Sequence, residues 1–137
     1  MDSLLLRPSV RMRVLALLMC LLVAANLFAH GAQPYSVGVF TAPWDKAVHA
    51  VLFAAFATLI WVVLGGRRPF ADVVAPLVAI GIGVADEWAQ SFVPGRSVDA
   101  ADLAADAFGA LAAIGVLTML RRRAGLRAGR GASLRPG

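Results

Sequence analysis

The sequence predicts an all-α integral membrane protein: a four-helix transmembrane bundle with both termini in the cytoplasm. Three observations lead there. Apolar residues make up 60% of the 137 and charged residues only 15%, against about 45–50% and about 25% in an ordinary globular protein. A chain this short has too much surface for its volume to hide that surplus internally. Four apolar segments are set apart by Gly- and Pro-containing breaks, and Lys and Arg then fall almost wholly on one side of the membrane those segments define. The same composition excludes a largely disordered chain. The net charge of +5 does not indicate nucleic acid, because the basic residues stand in short runs beside apolar blocks, without interleaved aromatics. One cysteine, Cys20, excludes an intramolecular disulfide and a cysteine-rich zinc site.

The first segment, Val14–Ala29, has 16 residues and no charge. Preceded by Arg7, Arg11 and Arg13 and followed by Ala29-His30-Gly31, it also fits a cleaved signal peptide; its near-spanning length favours a retained helix. Residues 31–43, with Pro34 and Pro43, form the one long connection. Ala47–Gly66 then runs 20 residues without Asp, Glu, Lys or Arg, which matches a hydrocarbon core of about 30 Å at about 1.5 Å per helical residue. Gly65-Gly66-Arg67-Arg68-Pro69 stops this helix and starts the next. Val73–Phe92 is apolar until Asp86, Glu87 and Gln90 near its far end, and Asp99–Leu120 mirrors it, with its acids first. Between them Val93-Pro94-Gly95-Arg96 predicts a type II turn. Lipid leaves no backbone group unpaired, so segments of this length are expected to be helical. The organisation is therefore a basic cytoplasmic N-terminus over 1–13, a membrane domain over 14–120 with spans near 14–30, 46–64, 72–92 and 99–120, and a basic, disordered cytoplasmic tail over 121–137.

Four spans place Arg7, Arg11, Arg13, Arg67, Arg68 and the six arginines from Arg121 onward on one side, and only Lys46 and Arg96 on the other. The positive-inside rule makes the arginine-rich side cytoplasmic. Of eight acids, Asp45, Asp86, Glu87, Asp99, Asp102 and Asp106 then gather at the outward ends of the last three spans. Helical spacing puts Asp45 with His49, Asp86 and Glu87 with Gln90, and Asp99, Asp102 and Asp106 on shared faces. Counting back from the turn sets Asp106 near the level of Asp86 and Glu87, and Asp102 near Gln90. Lys46 and His49 are the candidate partners from the second span. Acids below the interface should face inward and pair, or line a wet cavity.

Simpler roles compete. Asp45 after Pro43-Trp44 suits a helix N-cap, Asp99 suits the positive end of a helix dipole, and Lys46 and Arg96 can reach lipid headgroups. His49 by itself reads as a buried histidine with its hydrogen bonds met. Trp44, Trp61 and Trp88 read as interface or packing residues. Gly81 with Ala85, and Gly109 with Ala113, read as small pairs that let helices approach. Asp86, Glu87 and Asp106 are too deep to cap a helix and resist such accounts.

Asp45-Lys46-x-x-His49, followed by Asp86-Glu87-x-x-Gln90-x-x-x-Pro94-Gly95-Arg96-Ser97 and then Asp102, Asp106 and Gly109, resembles the VanZ-like family of small bacterial membrane proteins. The resemblance covers about Asp45 to Leu120. It departs at Ala50, where the family commonly has an aromatic residue, and at Asp106, where asparagine is frequent. It implies a multi-pass protein of the bacterial cytoplasmic membrane, in a family whose named members are linked to glycopeptide resistance, teicoplanin included; it implies no established reaction.

The expected function is an outward-facing pocket that binds or modifies an anionic lipid-linked or cell-wall molecule. Asp86, Glu87, Asp106 and His49 are the candidate catalytic residues, and Lys46, Arg96, Gln90, Asp102 and Asp45 the candidate substrate contacts. Arginine can hold phosphate or carboxylate through two parallel hydrogen bonds. No cofactor is expected, and one histidine among oxygen donors makes an unselective metal site. Expected partners are the bilayer and that anionic ligand, not nucleic acid. The alternatives are a small proton- or cation-coupled transporter using the same acids, and a non-catalytic membrane partner protein whose polar network fixes helix packing.

Overall fold

In a computed structural model the chain forms four helices, α1 (Val10–Gly31), α2 (Trp44–Val63), α3 (Ala71–Gln90) and α4 (Ala100–Ser133). The structure describes residues 8–31, 33, 43–66, 68–95 and 98–133, with side chains to residue 125, and no strand occurs among them. α1, α2 and the Ala100–Gly125 part of α4 are long and apolar enough to cross a membrane. The fourth helix, α3, carries Asp72, Asp86, Glu87 and Gln90 and is not among these three.

The ends follow local chemistry. α1 starts at Val10, ahead of the expected 14, because Ser9 caps it: Ser9 Oγ accepts the Met12 N–H at 3.3 Å. α2 begins at Trp44, with Pro43 in the cap position and no side-chain cap. Asp45 therefore sits in the first turn and is not the N-cap; its Oδ1 accepts the Lys46 N–H at 2.8 Å. At the other end Gly65 (φ +93°) and Gly66 (φ +61°) wind the chain left-handed. Gly66 N–H reaches Trp61 O and Gly65 N–H reaches Val62 O, both at 3.0 Å, the paired bonds of a Schellman stop. Gly95 has φ +85°, the sign a type II turn requires at that position. Asp99 caps α4, its Oδ1 accepting the Ala101 N–H at 2.8 Å. α4 then continues helically through Arg121–Arg123 to Ser133, where its composition predicts a disordered tail. Arg, Ala and Leu are good helix formers, and the segment is propagated from a helix already nucleated and packed.

The core lies between α2, α3 and α4: Phe53, Phe56, Ala57 and Trp61 meet Ala71, Ala75, Ala79, Ala110 and Ile114, with Cys20 of α1 against them. α3 buries a stripe of small residues at four-residue intervals, Ala71, Ala75, Ala79 and Gly83, and the same stripe ends in Asp86, Glu87 and Gln90. The residues that bring α3 close to its neighbours thus also carry its polar groups inside. α4 packs most extensively on α2. A Cβ on Gly109 would lie 2.0 Å from the Ala50 carbonyl oxygen, so those backbones touch. At Gly81 a Cβ would meet nothing within 4 Å; the packing role read for Gly81 falls instead to Gly83, two residues on and on the buried face. Outside this core large apolar side chains such as Leu15, Leu21, Leu77, Phe108 and Val116 are exposed, as a surface in lipid requires.

Candidate functional site

The start of α2, the end of α3 and the start of α4 meet at one end of the bundle, where nearly all the polar residues singled out by sequence converge. Lys46 Nζ lies 2.5 Å from Asp99 Oδ2, 2.5 Å from Asp102 Oδ1 and 3.1 Å from Asp45 Oδ2. One ammonium thus holds three carboxylates and ties α2 to the start of α4. Asp99 also donates its backbone N–H to Glu87 Oε2 at 3.0 Å, tying α4 to α3. Asp99 lies outside the apolar spans. The Lys46 ammonium, and after it the Ala101 N–H, hold its carboxyl below the ordinary carboxylate range.

One turn inward from Lys46, His49 Nδ1 lies 2.9 Å from Asp106 Oδ1. The Asp106 side chain is 2% exposed and that of His49 19%. With the carboxylate as acceptor, Nδ1 carries the proton of this contact. Nε2 is 4.0 Å from Asp102 Oδ1, beyond hydrogen-bond reach. Asp106 fits because α3 presents Gly83 there: a Cβ on Gly83 would stand 2.8 Å from Asp106 Oδ2. Asp106 therefore lies opposite Gly83, deeper than Glu87, and not level with Asp86 and Glu87 as the count from the turn predicts. The count treats the two helices as symmetric about the turn, whereas Asp99 at the cap is already drawn to Glu87.

On α3, Gln90 Nε2 donates to Asp86 Oδ2 at 2.5 Å, and both side chains are buried. They face α1, whose Gly31 comes so close that a Cβ there would lie 3.0 Å from Asp86 Oδ1 and 3.1 Å from Gln90 Nε2. A groove of about 450 Å³ opens here between α1 and α2. Leu22, Leu27, Val48 and Leu52 line its apolar length, and His30, His49, Asp86 and Gln90 its polar end. Its size lies within the range of ~300–1,000 Å³ typical of small-molecule sites.

The structure thus gathers Asp45, Lys46, His49, Asp86, Glu87, Gln90, Asp99, Asp102 and Asp106 at one end; Arg96 lies outside the described residues. Two features were missed by sequence reasoning. α1 supplies a wall of the groove, its His30-Gly31 end being the available signal. Gly83 makes room for Asp106, and its place in the four-residue small stripe of α3 was that signal. No group of three or more His, Cys, Asp or Glu side chains able to hold a metal ion occurs among the described residues.

A second polar cluster closes the opposite end. Asp72 takes the Trp61 Nε1–H at 2.9 Å and both guanidinium nitrogens of Arg121. Arg121 also donates to Gly66 O at 3.3 Å, and Arg13 Nε donates to Val63 O at 2.8 Å. Trp61 is buried as a packing residue, while Trp44 and Trp88 are exposed.

The VanZ/LLP1 family model matches residues 7–121 of the chain. No curated protein and no solved structure matches it.

Proposed function

The chain belongs to the VanZ/LLP1 family, and from that premise we propose a multi-pass protein of a bacterial cytoplasmic membrane whose outward-facing pocket binds a lipid-linked or cell-wall molecule and contributes to glycopeptide-type resistance. All four helices cross the bilayer in this reading, with both termini cytoplasmic. The arginines at 11, 13, 68 and 121–123 stand at the Asp72 end, which the positive-inside rule makes cytoplasmic. The Lys46 end then faces out.

The observation that carries the proposal is His49: backed on Nδ1 by a buried carboxylate, it lines a groove open to the side of the bundle. That arrangement orients the ring and leaves Nε2 to a bound molecule as a hydrogen-bonding or proton-transfer group. Asp86 and Gln90 line the same groove and offer oxygens and an amide. The anionic ligand expected from sequence rests on Lys46 and Arg96; Lys46 Nζ meets Asp45, Asp99 and Asp102, and Arg96 lies outside the described residues. A transporter reading would need a polar passage past Phe53, Phe56, Ala57, Trp61, Ala79 and Ile114, a packed apolar layer between the two polar ends.

The test is teicoplanin susceptibility of cells expressing the protein, with membrane abundance measured alongside. His49→Gln and Asp86→Asn are expected to lose most of any protection at unchanged abundance. Full protection by both variants removes the pocket from the function; protection that falls only in step with abundance makes the polar network structural.

A further inference from the structure

The end of the bundle away from the pocket carries a charge excess that the chain itself cannot cancel. Beyond the six acids of the Lys46 end, the sequence has only Asp2 and Asp72. Asp72 is taken by Arg121 and Trp61, so Asp2 is the one acid left to meet the remaining arginines. Arg11, Arg13, Arg68, Arg122 and Arg123 are all exposed, and one carboxylate cannot neutralise that set.

Three arginines gather on the last turn of α2, where the carbonyls of the helix end carry its negative dipole. Arg13 comes from α1 and donates its Nε–H to Val63 O at 2.8 Å. Arg121 comes from α4 and donates to Gly66 O at 3.3 Å. Arg68 follows in the turn, with its Nε 3.9 Å from the place a Cβ on Gly65 would occupy and its guanidinium 5.9 Å from the centre of the Phe70 ring. Residues 63–66 are thus bracketed by guanidiniums from three parts of the chain. The bond from Arg13 uses its Nε–H and leaves the terminal nitrogens to donate elsewhere.

Next to these arginines the surface is apolar: Val14 and Leu15 of α1, Phe70 beside Arg68, and Val73 of α3 are exposed. A soluble anion would use the guanidiniums alone. A phospholipid complements both, with its phosphate among the arginines and its chains along the apolar side chains.

We infer that this end of the bundle seats an anionic phospholipid, its phosphate shared by Arg13 and Arg68 at the end of α2 and its acyl chains on the neighbouring apolar surface. Guanidinium holds phosphate through two parallel N–H···O bonds. The further charge of Arg11, Arg122 and Arg123 at the same end favours a headgroup of net negative charge over a zwitterionic one. The seat is separate from the His49 pocket and does not depend on which leaflet the Asp72 end meets.

The experiment uses the full chain in phosphatidylcholine nanodiscs doped with phosphatidylglycerol that carries a photoreactive group in its acyl chain. A phosphatidylcholine probe with the same chain is the control. The phosphatidylglycerol probe is expected to label Val14, Leu15, Phe70 or Val73 several-fold more than the control, with no such preference at Val48 or Trp88 near the Lys46 end. Unlabelled phosphatidylglycerol should compete, and soluble glycerol phosphate should not. Arg13→Gln combined with Arg68→Gln should erase the preference. Arg68→Gln alone changes an exposed turn position; it should keep the wild-type melting temperature in phosphatidylcholine and cut the preference by about half or more, so a failure of the double variant to fold does not remove the test. Equal labelling by both probes, an equal preference at both ends, or a preference that survives Arg68→Gln overturns the inference. Competition by glycerol phosphate as strong as that by the lipid also overturns it, because the site would then recognise phosphate without the chains.

Discussion

Lys46 meets three of the six carboxylates at the site. Lys46→Met leaves Asp45, Asp99 and Asp102 facing one another without a countercharge. The variant is expected to melt below wild type, by less than the loss of a fully buried pair because these groups are solvated. Its pH dependence has a definite sign. Asp99 is held below its ordinary pKa in the folded state, so its stabilising contribution is complete above the ordinary carboxylate range and is lost as pH falls through the lowered value. In melting curves of the detergent-solubilised protein, the gap between wild type and Lys46→Met should be widest near neutral pH and narrow on acidification below about pH 4. A gap that widens toward acid would contradict the assignment. His49–Asp106 behaves differently because it is more deeply placed. Asp106→Asn keeps an oxygen that can accept from Nδ1–H, whereas Asp106→Leu removes the acceptor and forces a branched alkyl against Gly83. We expect Asp106→Asn to fold with a small loss and Asp106→Leu to lose about 1–3 kcal/mol or more, the cost of an unmet buried polar group, read as melting temperature and membrane abundance.

Among the elements, helix approach is limited by three glycines in unequal positions. Gly109→Ala drives a Cβ into the Ala50 carbonyl at 2.0 Å; backbone cannot step aside, so α2 and α4 must separate, at a cost in the overpacking range of about 1–3 kcal/mol or above. Gly83→Ala meets Asp106 Oδ2 at 2.8 Å and the Phe53 ring at 3.1 Å, side-chain atoms that can shift, so its cost is smaller and falls on the His49–Asp106 contact. Gly81→Ala meets nothing and should be neutral or stabilising by up to about 1 kcal/mol, as for glycine in a helix generally. Melting temperatures in the order Gly109→Ala below Gly83→Ala below Gly81→Ala check the packing directly. This ranking also shows where sequence legibility ends. Gly65-Gly66 and Pro94-Gly95 announce the turns because φ > 0 is a local demand, and hydropathy gives the segment ends to within a few residues except at the end of α4, which runs on to Ser133. The shared faces of Asp99, Asp102 and Asp106 are equally legible, since they depend on one helix's period. Which partner each acid meets depends on the register between helices, and nothing local encodes that. Hence the sequence offers Lys46 both as a partner of the acids and as a contact for an anionic ligand, the fold sets it against three acids, and the sequence reading passes over Gly83 and the α1 wall altogether, because an apolar run carries no mark of the face it turns inward.

At the scale of the molecule, two polar clusters bracket an apolar middle, and the proposed orientation turns on which of them faces out. The Lys46 cluster ties α2, α3 and α4 at one end; Asp72, Arg121 and Trp61 tie the same three helices at the other. Each cluster is expensive to drag through hydrocarbon, at about 2.5–3.5 kcal/mol per charged residue on insertion scales, so neither can sit anywhere but at an interface. Both ends satisfy that equally, and burial alone does not choose between the two orientations. The proposed orientation rests on arginine: positions 11, 13, 68, 121, 122 and 123 belong to the Asp72 end, against Lys46 at the other among the described residues. An impermeant maleimide applied to intact spheroplasts reads the result. In a Cys20→Ala background, cysteine at Phe92, which is exposed beside the polar pocket, should react from outside. Cysteine at Gly125, exposed beyond the arginine cluster, should react only after the membrane is opened. The pocket and the groove draw their meaning from this outcome, because a lipid or cell-wall ligand of the envelope can reach His49 only from the side on which Phe92 is labelled. The reverse pattern would place His49, Asp86 and Gln90 against the cytoplasm and end any role in recognising external molecules, while leaving the helix packing and both polar clusters as they are.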